Sequence, residues 1–597
     1  MTQARSIRAA DARISDATRA RLPYFLIVAV YAGLILLVNP RGEFPLNDDW
    51  CYARSAFRLG LENRLVVDEF SAPNLVGQAF YGGLLINLFG GSFLILRLST
   101  LALSCGLACM LWKCLSELGI SPGITWLAVL CWIFNPVQFC LSFTYMTEIP
   151  FLFMIAASGL AFARYLATRR IRPLLLCGAL LGYAFLIRQT AALFMLPIAL
   201  CLLVEGAGRG FRQMVARLAA WMAAVGIFVA GFYLWAHSHG SSTPAARRKF
   251  ELLRHLTAEQ IQGNLFGLLF YLSFFLLPLL AFIAPGVRTM LLQSGKVRGV
   301  FILFGWTLLS AAGVWWFHAR YSGGTYLPGR AFHGQMPFLL NILFDTGLGP
   351  LTLDPTYYGA PPTPMHPRAW QVVTWLVAAG LVVLGTVLTI GAAGFRKLLG
   401  RTEQRIFALF CSTSLVVVAL FEVIFSHIQE GGLFDRHILT AALPVTFLVC
   451  LVADGRRRAG AEQESRSAGE QSRPVPAGRS ACTVLAALML GILAWFCITA
   501  THDYLAWNRL RWDLGADLLA RKVDPLTVSG GFEFNGWNNY DTFRVRGNIE
   551  KIYYWWYDRP DYVIVLEPQE EYRVVKRLEY YSWLHRKNLP VYLLQKN

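Results

Sequence analysis

Charge is scarce in this chain. Asp, Glu, Lys and Arg together make up 15% of its 597 residues, against 56% hydrophobic side chains, and the mean hydropathy is +0.47. That balance excludes the string of soluble domains that such a length would otherwise suggest. Zinc and disulfide frameworks are missing too. The 12 cysteines show no CxxC or Cys/His spacing suited to zinc. Most of them (Cys105, Cys109, Cys131, Cys177, Cys201, Cys411, Cys450, Cys497) lie inside apolar runs, where cysteine acts as a small hydrophobe. There is no glycine-rich phosphate loop and no internal repeat. The net charge of +18 comes without a soluble basic domain, so nucleic acid is not an expected partner. A cleavable signal peptide is not evident, because Leu22–Val38 is too long an apolar core and lacks a small-residue cleavage site.

What is present is a succession of apolar runs near bilayer-crossing length. Spans are predicted at 22–38, 92–112, 122–141, 149–167, 173–187, 190–205, 218–236, 264–285, 299–317, 371–394, 406–426, 438–453 and 482–500, about thirteen in all, making a mainly α, polytopic helical bundle. Arginines before residue 22 keep the segment 1–21 cytoplasmic. The basic clusters around Lys113, Arg169–Arg172, Arg209–Arg217, Arg288–Arg298, Arg396–Arg405 and Arg456–Arg458 then fall on that same inner side, as the positive-inside bias requires. The exception is Arg247–Arg254, in an outer loop, where anionic head groups would suit it. The expected organisation is a cytoplasmic segment 1–21, a multispan membrane domain 22–454, a disordered cytoplasmic linker 455–481, a last transmembrane helix 482–500 and a small α/β outer-face domain 501–597. In that last domain strands are expected near Asp561–Val565 and Val591–Leu594, with a helix over Glu570–His585. The run Gly530–Tyr540 suits a turn with interfacial aromatics, or side chains that stack on a sugar; Tyr553–Tyr557 suits an aromatic belt anchor.

By this count three motifs share the outer face. Asn47-Asp48-Asp49-Trp50-Cys51-Tyr52 follows the first span, Thr147-Glu148-Ile149-Pro150 opens another, and Phe434-Asp435-Arg436-His437 opens a late one. Carboxylates at a membrane rim must face water, find partners or do chemistry, and adjacent aspartates resist joint ionisation. Glu148 is also placed to serve simply as a helix N-terminal acid. Arg188, His318, Arg320, Arg330, His333, Arg436 and His437 gather cationic character on the same face. Each arginine alone is as well explained by snorkelling to head groups, but Arg188 and Arg436 sit between apolar runs, where a nearby anion is needed.

At these residues the chain resembles the C-type (GT-C) membrane glycosyltransferases that use polyprenyl-phosphate sugars. The likeness is to the protein O-mannosyltransferase and lipid A aminoarabinose transferase group. Asp48-Asp49 followed by Tyr52-Ala53 resembles that group's acidic pair in the first outer loop, with Asp49 in place of the usual Glu. Thr147-Glu148-Ile149-Pro150 is similar to its Thr-Asp-x-Pro motif, with Glu in place of Asp. Arg436-His437-Ile438-Leu439, with Pro444 beyond, is a looser counterpart of its late Arg-Tyr-Leu-Leu-Pro. The resemblance spans roughly 20–455. It implies inverting transfer of a sugar from a polyprenyl-phosphate donor to a glycan, lipid or protein acceptor outside an inner or plasma membrane, on the periplasmic side in a two-membrane cell. Asp48 would be the general base, with Asp49 or Glu148 orienting the acceptor. Arg188, Arg320, Arg436 and His437 would bind the departing phosphate; Tyr52, Arg330 and His333 would contact acceptor or sugar. No cofactor is required, although Asp48, Asp49, Glu148 and His333 offer ligands that would suit a divalent metal. The loop 318–370 suits a lid as well as a plain connector. A transporter or flippase of a lipid-linked saccharide is the rival reading; it calls for charge at the bilayer midplane and paired broken helices, where this chain has its ionisable residues at one face. An inactive scaffold is a third.

Overall fold

Every one of the thirteen apolar runs coincides with helix in the structure, a computed structural model that describes all residues except 1, 208–209, 240–255, 294, 322–324, 328–329, 332–335, 337–338, 340, 351–364, 427–432, 468–476 and 548–555. Their count as spans differs from the expected thirteen. Among the described residues ten helices are long and apolar enough to cross a membrane, or up to twelve if two bent pairs each count as one. The bends fall in the runs 122–141 and 264–285: Pro122–Ile133 turns by 61° into Pro136–Ser142, and Ala258–Phe275 by 87° into Leu277–Val287. At the first, Asn135 caps the new helix by accepting from the Val137 and Gln138 amides, with Pro136 at the first helical position. The remaining run, 173–187, falls in the helix Ile171–Ile187, which is only 17 residues long.

We number the helices that build the site. Helix α1 is Thr2–Val38, α2 is Asp49–Glu62, α3 is Val76–Phe89 and α4 is Phe93–Glu117; α5 is Glu148–Thr168, α6 Ile171–Ile187, α7 Asp435–Ser467, α8 Ala477–Ala520 and α9 Phe532–Val545. The apolar windows of α5 and α7 are 78% and 83% buried, whereas those of Phe211–Ser238 and Val297–Ala319 are 11% and 6% buried. The latter two expose side chains such as Ile227, Phe304 and Trp315, as a lipid-facing ring does. Helices α5 and α7 are therefore the centre of the bundle, and both begin at the same end as the acidic loop 39–48.

That loop is tied down from several sides. The buried Arg97 guanidinium of α4 donates to the carbonyls of Pro40, Gly42 and Phe44. Asn47 takes a left-handed φ of 59°. A second group of basic residues lies at the opposite end of the bundle. There Arg169 and Arg217 meet the buried Glu205 at 3.0 and 3.4 Å, and Arg458 meets Asp454 at 2.8 Å.

The region 455–481, expected to be disordered, is helical wherever it is described: α7 runs on to Ser467, and α8 starts at Ala477. At 44 residues, α8 is roughly 66 Å long, about twice the ~30 Å hydrocarbon core, so its second half projects beyond the bilayer. The tail then forms a four-stranded sheet in the order β1-β2-β4-β3, where β1 is Val528–Ser529, β2 Tyr562–Val565, β3 Tyr572–Ser582 and β4 Lys587–Lys596. β1 and β2 are parallel and the other pairs antiparallel. The helix expected over Glu570–His585 is thus a strand. As an edge strand it pairs with β4 on one side, from Tyr572 opposite Lys596 to Ser582 opposite Lys587 with a register shift between Val574 and Lys576, a pairing that local sequence does not reveal. The Gly530–Tyr540 run, expected as a turn, is instead the start of α9.

The aromatics of α9 face inward. Trp50 of α2 packs against Phe70, Phe532, Tyr540 and Trp556 with ring centroids 5.3–6.1 Å apart. Gly536 lies beneath this cluster, where an added Cβ would meet Trp50 at 2.7 Å and Trp556 at 2.9 Å. Gly536→Ala should therefore overpack the joint and cost about 1–3 kcal/mol. Thermal unfolding in detergent, with limited proteolysis between 521 and 560, will read this loss; an unchanged midpoint and cleavage pattern would contradict the packing.

Candidate active site

Four charged side chains alternate in a chain at the end of the bundle where α5 and α7 begin. The Arg436 Nη2 donates to Asp48 Oδ2 at 2.9 Å. Its Nε lies 3.6 Å from Glu148 Oε1, and that same oxygen accepts from Arg188 Nη1 at 2.6 Å. Arg188 Nη1 also donates to Thr147 Oγ1 at 3.1 Å. Each member arrives from a different place. Asp48 immediately precedes α2, Glu148 and Arg436 lie in the first turns of α5 and α7, and Arg188 follows α6. Arg188 is extended, with φ −141°, because the Leu75 amide takes the Ile187 carbonyl and so ends the helix there. Phe151 and Phe434 lie under the two guanidiniums, at 5.9 and 5.4 Å.

The acids differ sharply in access. The Asp48 side chain is 21% exposed and that of Glu148 5%; Asp49 is only 2% exposed. Among the described residues, Nε and Nη1 of Arg436 and Oε2 of Glu148 have no hydrogen-bond partner. The two guanidiniums and two carboxylates offset each other's charge, yet keep buried polar capacity that an entering ligand would satisfy.

Asp49, expected beside Asp48 in the chemistry, stands apart from this chain. Its carboxylate turns inward and accepts from the Leu46 and Tyr145 amides, joining the first loop to the one before α5. Burial pushes its carboxyl up to about 8, against the pull of those two amides. Tyr52 is buried, and its hydroxyl is pushed well up, first by burial and then by the Asp48 charge, which puts it within electrostatic reach of the acids. His437 directs Nδ1 to Glu422 Oε2 at 3.5 Å. Arg320 lies at the end of the helix Lys296–Tyr321 and Arg330 in the short strand Arg330–Ala331. His333, residues 247–254 and Tyr553–Trp555 lie outside the described residues. Among the described residues no group of three or more His, Cys, Asp or Glu could hold a metal ion.

Three residues beside the site were not singled out from sequence. Asp435 accepts from the Ile342 and Leu343 amides at 3.1 and 2.7 Å, so it secures a hairpin against the start of α7. Asn341, next to that hairpin, accepts from Asn47 Nδ2 at 3.3 Å. Glu533 of the tail accepts from the Asn47 amide at 2.8 Å. Asp435 had a signal in its place beside Arg436, and Glu533 in its place within the run Gly530–Tyr540; Asn341 had none. A separate cleft of about 340 Å³, lined by Arg58, Asp68, Glu69, Tyr540 and Arg544 among others, contains none of the four residues of the chain.

The arrangement defines a membrane-embedded helical protein with an acid–guanidinium site at one end. A family model described as dolichyl-phosphate-mannose-protein mannosyltransferase matches residues 77–235, the segment that contains Glu148 and Arg188. This stretch carries that family's sequence pattern, in the same group that the motifs resemble. No curated protein matches the chain in sequence. Solved structures that match include ArnT from Cupriavidus metallidurans in the apo state, at 14% identity over 77% of this chain and 82% of that one, with a TM-score of 0.32. The same protein bound to undecaprenyl phosphate matches at 12% identity over 96% and 98%, with a TM-score of 0.34.

Asp49→Ala should leave two buried amides without an acceptor, at about 1–3 kcal/mol each. The folded protein holds the Asp49 proton up to about 8, whereas the unfolded chain loses it near 3.8. Between those values rising pH removes the proton from the unfolded state alone, so stability contributed by the group falls. The stability gap between parent and Asp49→Ala, measured by thermal unfolding from pH 4 to 8, should be widest at pH 4 and shrink steadily; a gap that grows with pH would refute this.

Proposed function

We propose that this protein transfers a sugar from a polyprenyl-phosphate donor to an acceptor outside the membrane, with inversion at the anomeric carbon. The observation that carries the proposal is the Asp48–Arg436–Glu148–Arg188 chain: one accessible carboxylate beside the buried Arg436 guanidinium, whose Nε and Nη1 lack hydrogen-bond partners, and the half-buried Arg188. The match of residues 77–235 to a mannosyltransferase family whose description names a polyprenyl-phosphate sugar supports the donor class. The clustering of arginines at the opposite end of the bundle supports an extracytoplasmic site.

In this reading the donor phosphate approaches Arg436 Nη1 and Arg188, where the N-termini of α5 and α7 add favourable potential for an anion. Engaging the phosphate draws Arg436 from Asp48, whose carboxylate is then free to accept the acceptor's hydroxyl or amine proton. The acceptor's lone pair forms the new bond to the anomeric carbon from the face opposite the phosphate. The old carbon–oxygen bond breaks, and its electron pair leaves on polyprenyl phosphate, whose growing charge the guanidiniums stabilise. Glu148 keeps both arginines in place, because its Oε1 faces each of them. Since two guanidiniums can neutralise the leaving group, we take no metal to be required.

Asp48→Asn removes the base while leaving Arg436 in place. Release of polyprenyl phosphate from polyprenyl-phosphate sugars by the purified protein should fall about a hundred- to ten-thousand-fold, with donor binding retained. Undiminished release would show that Asp48 is not the base, and lack of release by the parent with any such donor would sink the transferase reading in favour of transport.

A further inference from the structure

We infer that Glu533, supplied by the extramembrane tail, is a positioning residue for Asp48, so that the site at the end of the bundle is completed by a segment almost 500 residues away in sequence. The inference rests on the transferase reading above for its kinetic consequence, but its geometry stands alone. Glu533 Oε1 accepts from the Asn47 amide at 2.8 Å, and its Oε2 takes Arg511 Nη1 at 2.8 Å. Both Glu533 and Arg511 are fully buried, so neither has the latitude of a surface pair.

The residue they hold is the one whose conformation aims the base. Asn47 is left-handed, with φ 59°, a region that asparagine tolerates but does not prefer. A second anchor comes from its side chain, which donates to Asn341. Asp48 follows at φ −71°, ψ −3°, without using its side chain to cap α2, so its carboxylate is left to point at Arg436. Two residues further on, Trp50 is held by Phe532, Tyr540 and Trp556. The tail therefore grips the chain on both sides of Asp48, once by a hydrogen bond and once by ring packing. A shift near 1 Å at the base is enough to slow a proton transfer markedly.

Reach and charge make opposite demands on Glu533, and this separates positioning from mere support. Glu533→Gln keeps the length and an acceptor oxygen for the Asn47 amide but loses the charge opposite Arg511. Glu533→Asp keeps the charge and shortens the reach by a methylene. If Glu533 positions Asp48, kcat for polyprenyl phosphate release, assayed on the full chain with polyprenyl-phosphate hexoses and pentoses, should be about ten-fold higher in Glu533→Gln than in Glu533→Asp, with donor KM within about three-fold of the parent. Thermal stability should rank the other way, because only Glu533→Gln leaves Arg511 unpaired. If Glu533→Gln does not fold, Arg511→Met with Glu533→Gln removes both charges and takes its place. Amide exchange over 44–52 gives a readout free of activity: it should quicken about ten-fold in Glu533→Asp and little in the glutamine variant. A kcat order that follows stability, a rise in KM in place of a fall in kcat, or equal exchange in the two variants would overturn the inference. An inactive parent with the expected exchange pattern would overturn the transferase reading and leave the positioning of the loop supported.

Discussion

A guanidinium taken out of water must be surrounded by anions, and in this protein Arg436 imposes that demand on the whole end of the bundle where α5 and α7 begin. It draws in Asp48 from the first loop and Glu148 from the start of α5, and Glu148 in turn holds Arg188 at the break after α6. Four segments separated by 40 to nearly 400 residues converge because of it. Such a buried set gives little net stability when compared with apolar packing, yet losing one member leaves a neighbour uncompensated, at about 3–5 kcal/mol. Its contribution is to fix one arrangement of loops and helix starts. The apolar burial that stabilises the fold comes from α5 and α7, the most enclosed of the spans.

Acidic residues around this site divide into two kinds of work. Asp49, Asp435 and Asp503 accept backbone amides from distant segments: Leu46 and Tyr145, Ile342 and Leu343, Trp583 and Leu584. Glu533 does the same for Asn47. Each ties a loop to a helix as a shared cap would, with hydrogen bonds that strengthen when water is excluded. Asp48 and Glu148 instead face guanidiniums, and Asp48 alone of the two is open to an approaching molecule. The same chemical group thus builds the frame in one place and stays reactive in another, and burial and partner decide which.

The tail is part of that frame. Helix α8 is long and apolar enough to cross the bilayer and continues past that length without a break, so the sheet and α9 have a fixed point of departure. Asp503 at its midpoint receives the β3–β4 turn, and His502 stacks on Trp583 at 3.9 Å. From there α9 returns to pack on α2. Phe532, Tyr540 and Trp556, from the runs that read from sequence as a sugar platform and a belt, pack into this joint, and their mutual edge and face contacts add to the burial itself.

The sequence by itself determined the membrane class, the positions of the apolar runs, and the grouping of Asp48, Glu148, Arg188 and Arg436 on one face. Hydropathy and charge asymmetry are properties of single segments, so no partner is needed to read them. The break at Arg188 was legible too, since a charged residue between apolar runs interrupts the pattern. Tertiary structure alone decided which of two adjacent aspartates turns inward: Asp48 and Asp49 are alike in sequence, and the distant Tyr145 amide on Asp49 and Arg436 on Asp48 separate their roles. It decided that 572–582 is a strand, because β4 supplies the ladder, and that two runs bend within the bundle. It also decided that Glu533 reaches Asn47, across 486 residues. Pairing and close approach depend on both partners at once, and local sequence carries only one of them.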